Sequence, residues 1–396
     1  MGKSTVSVVR SGESSREEVC EAVRTAVHLA GGLPDVVKPG ALVLLKPNVL
    51  AQPVSLHSGA TTNPDVVRAM ADLVIELGAR PVIAESAAFG VNTELAYRDA
   101  GFWELREAGY EVVDLKRTPV AKVRVDHGRI IEEVKTFELV TRADAIVSLP
   151  VMKTHDQMEI TLSLKNCKGL VADSMKRQLH RDGVYQGVLD VVSALRPAFT
   201  LIDGTWCQEG LGPVYGRPIQ MNLLLASRDL VAADAVAGAI MGFTLDEVLL
   251  TRYAGDRGLG CADLASIEVM GEPIERVRRR FMRSIEDHQF DVPGLRIIHA
   301  EGTCTGCRNG VVSVLYDLSN SSELHLAQGL TLLTSDAEVP ADCDPAKLIT
   351  VGNCVPKQRR NQRFAFGCPP NNVTIVEQIV GHPVPRTFET EGVPEQ

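Results

Sequence analysis

The sequence predicts an α/β layered protein: a mostly parallel sheet with flanking helices, followed by a second, smaller α/β unit. Three observations carry this. Apolar runs of strand length alternate with amphipathic stretches of helix length, the pattern of βαβ units. Helix-capping residues sit at the junctions between them. The rhythm stops near residue 265 and restarts near residue 294, which divides the chain into a large α/β domain (1–265), a helical linker (266–293) and a small module (294–396).

Taken in order, residues 5–9 (TVSVV) read as a first strand and residues 42–47 (LVLLKP) as a buried one. A helix then a strand follow in 61–86, with Asn63 as N-cap, Pro64 at the first helical position and Gly78 at the C-terminal end. Residues 96–110 form a second helix and 111–115 (EVVDL) a strand. ADAIVSLP (143–150), FTLIDG (199–204) and NLLLAS (222–227) are further strands, and 230–242 (LVAADAVAGAIMG) is an apolar helix. Beyond DVPG (291–294), LRIIHA, LTLLTS, KLITVG and RFAFG read as strands, and GVVSVLYDL, ELHLAQG and VTIVEQIVG as helices.

Net charge is −9, which argues against a general nucleic-acid or polybasic membrane role. The basic run RVRRRFMR (276–283) reads as a solvated helix face. No run approaches the roughly 18 apolar residues of a spanning helix, and the N-terminus lacks a signal core. Gly2 alone matches a myristoylation signal, but Val6 stands where Ser or Thr is wanted. A cytoplasmic setting is expected, with neither nucleic acid nor membrane as partner, and NSS at 320–322 is then a chance sequon.

Nine cysteines are present, five of them in the last 100 residues: Cys304, Cys307, Cys343, Cys354 and Cys368. Without a secretory signal, such a cluster reads as metal or redox chemistry before structural disulfides. CTGC (304–307) taken alone fits a disulfide, a zinc half-site, a redox pair or half of an iron–sulfur site. Cys304 and Cys307 follow one predicted strand, Cys354 a second and Cys368 a third. Three strand ends can bring four thiolates to one point, where helix N-termini favour negative charge. Four thiolates suit zinc or a 4Fe–4S cluster. Zinc ribbons use two paired CxxC hairpins, whereas one CxxC and two distant single cysteines occur here. Cys343, in ADCDPAKL, reads as a loop cysteine.

CTGC before VVSVL, then VGNC, then GCPPN before VTIVEQIV resembles the proximal-cluster module of nickel–iron hydrogenase small subunits, over residues 295–382. That resemblance implies a flavodoxin-like α/β scaffold whose 4Fe–4S cluster is held by Cys304, Cys307, Cys354 and Cys368. No further cluster motif and no nickel-binding region are visible, so hydrogenase activity is not implied.

In the large domain, LLKPN, AES, LPVMKTH and LIDG each place polar residues at the end of an apolar strand. Lys46, Asn48, Glu85, Ser86, Lys153, His155 and Asp203 should therefore line one rim of the sheet, the usual ligand crevice. SLKNCKG adds Lys165, Asn166 and Lys168 in a nearby loop. The rim suits a small anion such as a carboxylate or phosphate, with Lys153, His155 and Lys46 as catalytic candidates and Asn48, Glu85, Ser86, Lys165, Asn166 and Asp203 as substrate contacts. His180 reads as a loop histidine, Asp234 as a helix buttress, and 51–62, with His57, as a connector or a lid. LLKPN, TNP, ES, LPVMKTH, SLKNCKG and DG (203–204) together make the first 265 residues resemble the domain-of-unknown-function 362 family. Members often carry a ferredoxin-like CxxCxxC segment, from which this chain departs.

The expected function is an iron–sulfur oxidoreductase. One 4Fe–4S cluster would pass single electrons between an external carrier, such as ferredoxin or flavodoxin, and a small anionic substrate. No GxGxxG or Walker sequence points to NAD or ATP; GLGPVYGRP (210–218) reads as a loop. The alternatives are a non-redox cluster enzyme, a lyase or desulfidase with an open iron, and a non-enzymatic electron-transfer subunit.

Overall fold

The computed structural model describes residues 3–12, 15–286 and 290–384; Gly2 and His288 lie outside that range. Among the described residues there are sixteen strands: β1 (Ser4–Arg10), β2 (Leu42–Pro47), β3 (Arg80–Glu85), β4 (Val112–Asp114), β5 (Val120–Arg124), β6 (Glu133–Phe137), β7 (Ala145–Leu149), β8 (Val151–His155), β9 (Glu159–Thr161), β10 (Phe199–Glu209), β11 (Arg217–Ser227), β12 (Ile267–Gly271), β13 (Arg296–His299), β14 (Thr331–Thr334), β15 (Leu348–Val351) and β16 (Phe364–Ala365). No described helix is long and apolar enough to cross a membrane.

Ten strands form one sheet. Its main path runs β12-β1-β11-β10-β7-β2-β3-β4, with β8 on β10 and β9 on β8. Pairing is mostly parallel; the antiparallel pairs are β1 with β11, β10 with β11, and β8 with β9. The parallel strands β2, β3 and β7 are almost wholly buried, as expected where helices cover both faces. Asn63 caps the helix Pro64–Glu76 by accepting from the amide of Asp65, with Pro64 opening the helix. The helix Leu230–Ile240 is buried on nearly every side, which explains its continuous apolar composition.

One feature of this sheet places the site. β10 starts beside β7 (Phe199↔Val147) and continues past the carboxyl edge of β7. There it pairs with β8 (Asp203↔Val151, Gln208↔Lys153), and β9 pairs back on β8 (Lys153↔Thr161). Lys153 and His155, expected just past a strand end, therefore lie on a further strand, β8, that extends the rim.

The small unit has four parallel strands in the order β13-β14-β15-β16. The helices Thr305–Asn320 and Asn372–Val380 pack together on one face, over a core that includes Val311, Val314, Leu332, Ile349 and Ile375. The expected helix at 323–329 is a single 3₁₀ turn, Leu324–Ala327.

The segment 266–293 is not a helical linker. Ile267–Gly271 is β12, paired parallel with β1 at the edge of the large sheet. Only short helical turns follow, at Ile274–Val277 and Ser284–Glu286. Its charge density resembles a solvated helix, but register with β1 sets the backbone instead.

Candidate functional site

The four cysteines of the small unit stand where its strands end. Cys304 is the N-cap residue of the helix Thr305–Asn320, and Cys307 is buried in that helix's first turn. Cys354 follows β15 and is exposed; Cys368 follows β16, ahead of the helix Asn372–Val380. The Asn353 amide donates to the carbonyl of Gly367 (2.8 Å), and the Gly367 amide to Asn353 Oδ1 (2.9 Å), tying the last two cysteine loops together. Gly352 has φ of +98°, and a Cβ there would lie 2.9 Å from Cys307 Sγ, so glycine leaves room for the sulfur.

All four thiols are free. They interact as two pairs. The partner thiol of Cys307, helped by the amides of Cys307 and Gly306, draws Cys304 down to about 6, while Cys307 is held up by Cys304 and by burial. Cys368 likewise draws Cys354 down to about 6, and Cys354 raises Cys368. Cys304 makes no cap hydrogen bond of ordinary length, yet those amides lie close enough to favour its thiolate. Among the described residues no three His, Cys, Asp or Glu side chains close around a single ion. A mononuclear zinc site needs four donors within about 2.3 Å of one ion. A polynuclear cluster spreads four thiolates over several metal atoms, and four free thiols with the room that Gly352 leaves at Cys307 suit a thiolate-bound metal of either kind.

In the large unit, the predicted rim residues divide into two groups. Lys46, Glu85 and Asn166 satisfy one another. The Lys46 ammonium donates to Glu85 Oε2 (2.8 Å), Asn166 Oδ1 (2.6 Å) and the carbonyl of Pro47 (2.9 Å). Glu85 also accepts from the amides of Val49 and Ser86, and Asn166 donates to the carbonyl of Lys46 and to Ser148 Oγ. Asp203 accepts from the amides of Asn63 and Thr205, holding the start of the helix Pro64–Glu76. Ser86 Oγ accepts from Lys176. Asp234 accepts from the amides of Ser163 and Leu164, so it buttresses the short helix Ser163–Asn166 that replaces the expected loop.

The second group is cationic. Lys153, fully buried, donates to the carbonyls of Ala60 (2.5 Å) and Pro213 (3.1 Å). Burial, then Lys165 and Lys46, push its pKa well down. Lys165 is 8% exposed and forms no hydrogen bond or ion pair with any described residue; burial lowers it to about 8. Lys168 meets His180 Nε2 at 2.5 Å, and burial followed by Lys165 lowers Lys168 as well. His155 is pushed down to about 4 by burial and then by Lys165. Its Nδ1 lies 2.8 Å from Asp156 Oδ1, an oxygen that also accepts from the amide of Gln157 (2.8 Å), so the carboxylate and that amide fix the ring. Asp156 acts electrostatically on His155, Lys165 and Lys168, and its Oδ2 accepts from Ser313 Oγ (2.8 Å).

This cationic pocket adjoins the cysteines. The Cys368 amide donates to the carbonyl of His180 (2.9 Å), and the Val184 amide to the carbonyl of Cys368 (2.9 Å). Gln157 Nε2 donates to the carbonyl of Pro370 and to Asn372 Oδ1. Tyr185 OH contacts the carbonyl of Gln157 and both oxygens of Glu159, a carboxyl raised to about 8 by burial and in electrostatic reach of Cys304. Asp156, Gln157, Glu159 and Tyr185 escaped the sequence reading. The run HDQME directly after a strand was the available signal, and Glu159 adopts a positive φ of 58°. His180, read as a loop residue, faces Lys168 from the helix Asp173–Asp182. His57 stacks on Trp206 at 5.1 Å. Cys343 lies on the other face of the small sheet, beside Leu333, Ala337 and Leu348.

Fold and site together define an α/β protein in which a four-thiol constellation adjoins a lysine-rich pocket at the strand ends of a large sheet. The chain belongs to the family described as Domain of unknown function (DUF362), which matches residues 43–239. It is 30% identical over 264 residues to the thylakoid-associated protein sll1697 of Synechocystis sp., an alignment covering 65% of this chain and 79% of that protein. The lactate racemase apoprotein from Thermoanaerobacterium thermosaccharolyticum aligns at a TM-score of 0.38 and 11% identity, over 84% of this chain and 69% of that one; similarity at that level carries no argument about function.

Proposed function

We propose that this chain is an iron–sulfur oxidoreductase. Cys304, Cys307, Cys354 and Cys368 would hold one 4Fe–4S cluster, and the pocket of Lys165, Lys168, His155 and His180 would take a small anionic molecule. When bound, the cluster supplies one-electron transfer. The chain's own residues do the rest. The lysines attract and orient the anion, His155 stands beside them as a neutral hydrogen-bonding ring, and the packing of 155–159 and 180–185 against the cysteine loops limits water between the two halves. An external carrier such as ferredoxin or flavodoxin would exchange electrons on the side of exposed Cys354.

The observation that carries this reading is the hydrogen-bonded seam between Cys368 and His180, which sets four free thiols beside a group of lysines and histidines. Anaerobic reconstitution followed by iron and sulfide analysis tests it. The expected result is about four of each per chain, lost or degraded in each of the four Cys→Ser variants and retained in Cys20→Ser. Full iron and sulfide content in Cys354→Ser would count heavily against the ligand set.

The exposure of Cys354 also favours a second reading, a non-redox cluster enzyme in which that position opens to substrate. EPR of the reduced protein separates the two. A spectrum changed by added small anions supports the open site, and an unchanged one supports the electron relay.

A further inference from the structure

A cavity of about 630 Å³ opens in the large unit, and none of the four thiols or the pocket lysines lines it. Its size is that of a small-molecule site. Ala235, Gly238 and Ala239 form one wall. They share a face of the helix Leu230–Ile240, at the i, i+3, i+4 spacing, and their small side chains leave the space open. Phe243, Val248 and Ile274 complete the apolar lining, and the Phe243 ring is held by the Arg283 guanidinium, 3.7 Å from its centroid. Leu245 and Leu264 also line the cavity yet remain 38% and 44% exposed, so the apolar surface continues out to the mouth.

Polar groups mark the two ends of this space. At the deep end Thr251, in the helix Leu249–Asp256, is 2% exposed. Its hydroxyl makes no hydrogen bond to a described residue, and it is not sealed off from the cavity. A buried hydroxyl left open in this way points to a partner that enters the cavity. Asp234, the other deep polar group, is already taken up by the amides of Ser163 and Leu164. At the mouth the charges are unequal. Arg252 pairs with Asp246 (3.3 Å) and Arg283 with Glu247 (2.8 Å), while Asp263 accepts from the Ala265 amide and the Ser266 hydroxyl. Glu275 and Arg278 line the cavity, are exposed and form no ion pair with a described residue; exposed Arg276 beside them forms none either. One carboxylate thus stands against two guanidiniums, which favours an anionic head group.

We infer that this cavity binds a small monocarboxylate with an apolar body and an uncharged polar group at its far end. The carboxylate meets Arg278, the body lies against the helix Leu230–Ile240, and the polar end meets Thr251. The assignment does not rest on the iron–sulfur reading. Calorimetric titration of the full chain with hexanoate, octanoate, 8-hydroxyoctanoate, 1-octanol and octylammonium tests it. Octanoate should bind once per chain and about tenfold more tightly than hexanoate, because each buried methylene contributes about fourfold. It should exceed 1-octanol and octylammonium by about fivefold, and Arg278→Gln should remove that margin while leaving 1-octanol unchanged. 8-Hydroxyoctanoate should match octanoate in the parent and fall about tenfold below it in Thr251→Val, where its hydroxyl finds no partner. Ala239→Phe, which fills the space, should weaken every ligand; Arg278 is exposed, so its variant keeps the test decisive if that one fails to fold. No saturable binding of octanoate, octylammonium binding as tightly as octanoate, or affinities unchanged in both Arg278→Gln and Thr251→Val would overturn the inference. A concentration-dependent dimer that excludes octanoate would overturn it too, giving the cavity to a second copy of the chain.

Discussion

The amide of Cys368 donates to the carbonyl oxygen of His180 at 2.9 Å, while the His180 ring meets Lys168 at 2.5 Å. A single residue thus touches both the thiol constellation, through its backbone, and the cationic pocket, through its ring. His180 therefore joins the cysteine loops and the lysines through one residue.

Gly352→Ala should damage the thiol constellation without touching a thiol. The new Cβ would press on Cys307 Sγ, and φ of +98° disfavours any L side chain. A loss of about 1–2 kcal/mol is expected from the backbone alone. Thermal unfolding and iron per chain after reconstitution check this; unchanged iron loading would show that Cys307 needs no such room.

Lys153→Met should loosen two loops. The ammonium bridges the carbonyls of Ala60 and Pro213, and an unsatisfied buried acceptor costs about 1–3 kcal/mol. Relief of repulsion with Lys165 and Lys46 offsets part of that, leaving a net loss of about 2 kcal/mol. Hydrogen exchange should rise in 56–62 and 210–216 and remain unchanged in the small unit.

Lys46 and Glu85 should prove coupled in stability. Both are nearly inaccessible, at 1% and 2% exposure. Removing either partner alone leaves a buried charge and should cost about 3–5 kcal/mol. Urea unfolding of Lys46→Met, Glu85→Gln and the double variant should give a total well below the sum of the single losses. Additive losses would mean that the pair does not interact.

Stability should fall with acid through His155. Its pKa is about 4 in the fold against about 6.5 unfolded. The unfolded chain therefore takes up the proton first, so this contribution is complete above about pH 6.5 and is lost as pH falls towards 4. The loss should be on the order of 3 kcal/mol. Between pH 7 and pH 4 the unfolding midpoint of the parent should fall more steeply than that of His155→Asn, which lacks the titrating ring; equal slopes would show that His155 is not depressed in the fold.

Much of the fold was legible in the chain. The strands at 42–47, 143–150 and 348–351 announce themselves as apolar runs of strand length, and Asn63-Pro64 marks a helix start. The order of the cysteines against those strands was legible too, because strand ends and helix starts are local features. β12 was not, since its partner β1 lies more than 250 residues away. The antiparallel hairpin β5–β6 left no recognised signal.

The site divides along the same line. Which polar residues stand at strand ends follows from sequence alone, because the side-chain period and the turn residues are set locally. Which of them are free to bind does not. Lys46 reads no differently from Lys165 in the chain, yet it is saturated by Glu85, 39 residues away, and by Asn166, 120 residues away. Lys165 finds no such partner. Hydrogen-bond satisfaction is a property of groups brought together from distant positions, so only the packed tertiary structure separates a saturated lysine from one whose ammonium makes no hydrogen bond to a described residue.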